Sequence, residues 1–170
     1  MGDKSLALSI KQPWATLVAH GQKTVEVRGW ATERRGTVLI HASRRSDSRP
    51  EAWARLPDEL AREARRMGGI IGVADLVDCL IYDAGTFARD RERHFNDPRW
   101  FARPMLYGFV FANARTLPFR PYRGSVRFFP VLSESLLESS FALDESMELY
   151  ANRMDVDGRI TGQCPVAAGG

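Results

Sequence analysis

Leu8-Ser9-Ile10-Lys11-Gln12-Pro13-Trp14-Ala15-Thr16-Leu17-Val18-Ala19-His20-Gly21-Gln22-Lys23-Thr24-Val25-Glu26-Val27-Arg28 reads as a strand, a helix and a second strand, with polar residues gathered at both junctions. Leu6 to Ile10 is apolar and gives way to Lys11-Gln12. Pro13 suits the first turn of a helix, and Trp14, Leu17 and Val18 recur at the i, i+3, i+4 spacing of one helical face. Gly21 is a natural stop. From Thr24 the period changes to two, so Thr24, Glu26, Arg28 and Trp30 share one strand face and Val25 and Val27 the other. A core strand carries a carboxylate and a guanidinium on one face only where they pair or serve a site.

Thr32 to Gly36 reads as a connection and Thr37 to Ala42 as a third strand, its centre buried on both faces. Pro50, then Trp53, Leu56, Leu60, Ala61 and Ala64, predict a long helix ending at Gly68-Gly69, with Pro57 as a candidate break. Ile70 to Ile81 is a β-rich run in which Gly72 marks a bulge or a close backbone approach. Residues 85–98 are highly charged with few apolar anchors, which predicts an exposed helix or an ordered excursion over a barrel mouth. Tyr107 to Arg115 reads as a strand, Pro118 to Tyr122 as a turn and Val126 to Leu132 as a last strand. About six strands with two or three helices and no regular βαβ alternation predict an α+β fold, a small mixed β-barrel with helices packed around it.

At 170 residues and 44% hydrophobic content, the chain predicts one globular domain plus an appendage. No apolar run approaches the roughly 20 residues that span a bilayer, and Lys11-Gln12 comes too early for a signal peptide, so the expectation is a cytoplasmic protein with no membrane contact. Cys79 and Cys164 form no metal-ligand spacing with His20, His41 or His94; neither disulfide nor metal is expected. Residues 1–132 carry 22 Lys/Arg against 14 Asp/Glu, while 133–170 carry 2 against 7. A basic body thus precedes an acidic, Ser-rich tail with helical spacing at Leu143, Met147 and Tyr150. Nearly all the positive charge is arginine, clustered at Arg34-Arg35, Arg44-Arg45 with Arg49, Arg65-Arg66, and Arg115, Arg120, Arg123 and Arg127. The planar guanidinium suits phosphate and base edges.

Leu8-Ser9-Ile10-Lys11-Gln12-Pro13-Trp14-Ala15, Gly21-x-Lys23-Thr24-Val25-Glu26-x-Arg28, and Trp30 with Arg35-Gly36 before an apolar strand resemble an ASCH domain. The resemblance continues through Gly69 to Cys79 and Tyr107-Gly108-Phe109-Val110, covering roughly residues 5–132 and leaving 133–170 as an acidic extension, partly helical or disordered. It implies a PUA-like β-barrel and nucleic-acid binding, with some small relatives acting as hydrolases on an acetylated cytidine or as ribonucleases. In the deacetylating relatives the catalytic set resembles Gly-x-Lys-x-x-Thr-x-Arg plus a later glutamate. Lys23 and Arg28 match, Glu26 stands where the threonine would be, and the central strand offers Asp75 and Asp78.

Lys23, Glu26 and Arg28 are placed to converge in the barrel mouth as a pocket for a polar base or phosphate; a structural Glu26–Arg28 ion pair is the alternative. Lys11 and Gln12 precede a helix start, where free N–H groups favour anions, though Gln12 serves equally well as a cap. Trp14 keeps core spacing, while Trp30 is open to stacking on a base. His41 reads as a core histidine, and Ser43, Arg44 and Arg45 as phosphate ligands at a strand end. The expectation is a nucleic-acid-binding module with weak sequence preference, for DNA or RNA, single- or double-stranded, using a basic groove and this pocket. Its candidate residues are Lys11, Gln12, Lys23, Glu26, Arg28, Trp30, Arg34, Arg35, Ser43, Arg44 and Arg45. No cofactor is implied. The alternative is a nucleoside amidohydrolase or ribonuclease using Lys23 and Glu26, and the acidic tail offers a protein partner a surface.

Overall fold

The apolar run before Lys11 forms β1 (Lys4–Ile10), and Trp14–Ala19 forms α1. The computed structural model describes residues 4–102 and 104–132. Ser5–Val131 is one compact unit; a second comprises Met1–Lys4 and Leu132–Gly170, so the acidic tail, its Leu143, Met147 and Tyr150 spacing and Cys164 lie outside the described residues. All six residues of α1 are buried, so the helix is enclosed on every side rather than half wet. Gln12 Oε1 accepts from the Thr16 backbone N–H at 3.1 Å and from the Thr16 hydroxyl at 2.9 Å, satisfying donors that the helix start leaves free.

The remaining strands are β2 (Val25–Arg28), β3 (Gly36–Ala42), β4 (Gly69–Tyr82), β5 (Leu106–Pro121) and β6 (Phe128–Leu132). They form one mixed sheet in the order β2-β5-β4-β3-β1-β6, curled into a half-barrel of PUA-like α+β type. β1 runs parallel to β3, while the β2–β5, β5–β4 and β4–β3 pairs are antiparallel. The core joins Leu8, Ile10, Leu17, Val18, Ile40, Leu76, Phe109 and Phe111 between sheet and α1. Gly72 does both things its position predicts. The β4–β5 register shifts beside it, and a Cβ there would lie 2.7 Å from Ala19 Cβ and 2.9 Å from the Arg115 carbonyl. Only a missing side chain lets α1 seat so closely.

Two segments differ from the sequence reading, and a third refines it. No long helix follows Pro50: α2 (Pro50–Trp53) is one turn, succeeded by 3₁₀ turns at Asp58–Leu60 and Glu63–Arg65. Pro57 cannot donate to a helical carbonyl and disfavours helical backbone at Leu56, while Ala52, Leu60 and Ala64 reach the core as separate anchors. Pro118 to Tyr122 is not a turn, because β5 continues to Pro121 opposite Gly69; Pro118 falls within the register shift, where no ladder hydrogen bond is required. Residues 85–98 are largely helical, one of the two expected alternatives, but they carry buried anchors. They hold α3 (Ala84–Arg89), capped reciprocally by Asp83 and Thr86, and α4 (Arg91–His94). Phe87 and His94 are fully buried and stack with ring centroids 4.2 Å apart, beside a second core of Val25 and Tyr82.

Candidate nucleic-acid interface

Beside β1, β2 and β3 lies an open cavity of about 830 Å³, completed by the segment after β3 and the β5–β6 loop. Lys11, Glu26, Arg28, Trp30, Ser43, Arg44 and Arg45, all singled out from the sequence, line it. Arg49, Arg123 and Arg127 join them, giving seven cationic side chains against the two carboxylates of Glu26 and Asp47.

Both carboxylates are already committed. Asp47, at the end of the segment leaving β3, accepts from Trp14 Nε1 at 2.9 Å and from Arg49 Nε at 2.9 Å. Burial alone would push its pKa up, but the donated hydrogen bonds from Arg49 and Trp14 outweigh it and hold the carboxyl well below its ordinary range. Arg49 is thereby laid flat over Trp100, 3.6 Å from the ring centroid. Glu26 lies between Arg28 Nη2 at 3.3 Å and Lys23 Nζ at 3.2 Å. Lys11, Arg44, Arg45, Arg123 and Arg127 have no acidic partner among the described residues. Arg127 instead lies 5.1 Å from the Trp30 ring, on a backbone with φ +59°, the left-handed region that favours glycine. Trp30 is itself fixed edge-on to Phe109 and Phe128 at 4.8 and 5.6 Å.

Four candidates stand elsewhere. Lys23 is 1% exposed and does not line the cavity. Its ammonium donates to the carbonyls of Val25 and His94 and pairs with Glu26, tying β2 to α4 from behind. Burial lowers its pKa against the pull of Glu26. Gln12 is fully buried, with Nε2 donating to the Arg66 carbonyl at 3.0 Å. Arg35 pairs with Asp78 at 3.0 Å and lines a separate cavity with Cys79, Ile81 and Tyr107. Arg34 lies over Phe128. Conversely, Asp47, Arg49, Arg123 and Arg127 were absent from the candidates; the arginines belonged to visible charge clusters, whereas nothing marked Asp47.

His41 is buried, as its apolar strand implies, yet both ring nitrogens are partnered at the cavity wall: Nδ1 with Ser9 Oγ at 2.9 Å and Nε2 with the Tyr122 carbonyl at 3.0 Å.

The family model of the ASCH domain matches residues 8–119. The chain belongs to the ASCH domain family. Activating signal cointegrator 1 of Homo sapiens is 34% identical over 91 residues, which cover 46% of this chain and 15% of that protein, and the Mus musculus protein aligns equally. This ASCH chain thus matches only a small part of those relatives' length. An ASCH crystal structure from Zymomonas mobilis superimposes with a TM-score of 0.57 at 15% identity, covering 81% of this chain and 94% of that one; a single-residue variant of it gives 0.56. Those structures share the fold. Among the described residues no helix is long and apolar enough to cross a membrane.

Proposed function

We propose that this ASCH domain binds nucleic acid through the cavity beside β1, β2 and β3, holding the phosphate backbone with weak sequence preference. The observation that carries the reading is the set of five cations, Lys11, Arg44, Arg45, Arg123 and Arg127, that face this cavity without an acidic partner among the described residues. Clustered unpaired cations repel one another, and a polyanion relieves that repulsion while releasing its own counterions. Arg49 on Trp100 and Arg127 beside Trp30 add planar guanidinium faces on which a base can stack. Arg28 and Glu26 form the polar corner, with Lys23 acting through Glu26 rather than touching the ligand. The resemblance to activating signal cointegrator 1 supports the same direction.

The test is binding of unrelated single- and double-stranded oligonucleotides across a salt series. If about five phosphates are engaged, log affinity falls against log salt with a slope of about −4 to −5 on duplex and about −3 to −4 on single strands. Lys11→Ala with Arg123→Ala should flatten that slope by about 2, whereas Arg62→Ala, an exposed arginine away from the cavity, should not. Absence of binding at low salt overturns the reading.

A further inference from the structure

We propose that Ser9 and His41 form a nucleophile and general-base pair that cleaves carboxylic esters bearing negative charge, an activity beyond binding. Ser9 and His41 are register partners on the parallel strands β1 and β3, so both side chains lie on one sheet face. A carbonyl oxygen only accepts, so the Tyr122 carbonyl at 3.0 Å requires the proton on His41 Nε2. The Nδ1 lone pair then faces Ser9 Oγ at 2.9 Å, and the hydroxyl donates to it. The result is a nucleophile, a base and a third group that fixes the base's tautomer and orientation, the arrangement that activates a serine. Burial and the charge of Arg44 keep the imidazole neutral, against the Tyr122 carbonyl.

One residue packs directly against the pair. A Cβ at Gly124 would lie 2.4 Å from His41 Cε1 and 2.7 Å from Ser9 Oγ, so only glycine fits there and any side chain would push the imidazole and the hydroxyl out of place. Gly124, Ser9 and His41 all line the cationic cavity. Arg28, which also lines the cavity, donates to the Ser9 carbonyl at 2.7 Å and so holds a cation on the nucleophile's own residue. In the reaction, the Ser9 Oγ–acyl bond forms, the ester C–O bond breaks, and the Ser9 proton passes through His41 Nδ1 to the departing alkoxide. Water then attacks the acyl-serine, gives its proton through Nδ1 back to Ser9 Oγ, and releases the carboxylic acid. The preference for anionic esters rests on the proposed reading of the cavity as an anion site; the Ser9–His41 chemistry does not.

The experiment follows 4-nitrophenolate release by the full chain from anionic 4-nitrophenyl succinate and from neutral 4-nitrophenyl acetate, with mass mapping of the acylated peptide. Expected are an adduct on Ser9, faster turnover of the anionic ester, and a loss of about a hundredfold or more in Ser9→Ala, His41→Gln and Gly124→Ala. Labelling of the unmodified chain by an alkyl fluorophosphonate keeps the test independent of variants that fail to fold. No adduct on Ser9 from any of the three reagents, or equal rates for the chain and Ser9→Ala, overturns the proposal. Ester cleavage without oligonucleotide binding would refute only the nucleic-acid reading, and binding without cleavage only this one.

Discussion

Replacing Lys23 by methionine keeps the length of the side chain and removes its charge, which isolates what the buried ammonium does. With 1% exposure the lysine exchanges almost nothing with water, and its donors go to the Val25 carbonyl, the His94 carbonyl at 2.9 Å and Glu26 at 3.2 Å. The variant leaves two buried carbonyls short of a donor and a mostly buried carboxylate with Arg28 alone. Breaking a buried, hydrogen-bonded ion pair from one side costs about 3–5 kcal/mol. At about 3–5 °C per kcal/mol for a domain of this size, the melting temperature should fall by about 10–20 °C. Lys11→Met removes the same charge from an exposed position and should cost no more than about 0.5 kcal/mol. Adding Glu26→Gln to Lys23→Met should cost less than the two single losses combined, by about 0.5–3 kcal/mol. Thermal and urea unfolding of the four variants measures all of this. A Lys23→Met melting temperature within about 3 °C of the parent, or strict additivity with Glu26→Gln, refutes the picture of an interior strut.

Asp47 stays ionised in the folded chain at pH values where the unfolded chain takes up a proton, near 4, so its stabilisation is complete above that point and drains away as pH falls through the folded value. The gap in melting temperature between the parent and Asp47→Asn should therefore narrow between pH 6 and pH 2; a constant gap contradicts the assignment. Gly72→Ala forces a methyl to within 2.7 Å of Ala19 and should cost about 1–3 kcal/mol in urea unfolding, with a neutral outcome arguing against tight α1–β4 seating. Trp30→Ala should weaken single-strand binding by about 1–3 kcal/mol per stacked base while leaving the salt slope unchanged, and an altered slope would mean that Trp30 acts only by placing Arg127.

The strand–helix–strand run was legible because its periods are strong: apolar Leu6–Ile10, a compact helix and an alternation read from Thr24 all have their counterparts in β1, α1 and β2, the last starting one residue later at Val25. Lys23 was misplaced for a physical reason. It precedes the strand, in the turn where Gln22 and Lys23 both donate to the Leu17 carbonyl, so strand alternation says nothing about its direction. Its partner carbonyl on His94 is 71 residues away, and no local pattern announces it. The Pro50 segment shows the opposite failure: apolar spacing is compatible with a helix, but proline geometry prevails and the same residues anchor successive short turns. Arg123 and Arg127 were visible as charge but not as cavity walls, since their loop is carried over His41 and Ser9 by long-range strand pairing, β5 beside β4 and β6 beside β1.

The cavity draws its walls from the residue after β1, from β2, from the segment after β3, from Asn96 beyond α4 and from the β5–β6 loop. No peptide cut from this chain contains more than a fraction of it, so charge cannot be transplanted as a motif and affinity is a property of the finished sheet. Occupancy therefore reports folding: a polyanion held only by the assembled walls, at a hundred times its dissociation constant, adds about 2.7 kcal/mol to the stability of the whole domain. Where the ligand is abundant, a sequence too weak to persist alone can still be maintained, and losses in the core and losses at the surface become interchangeable in their effect.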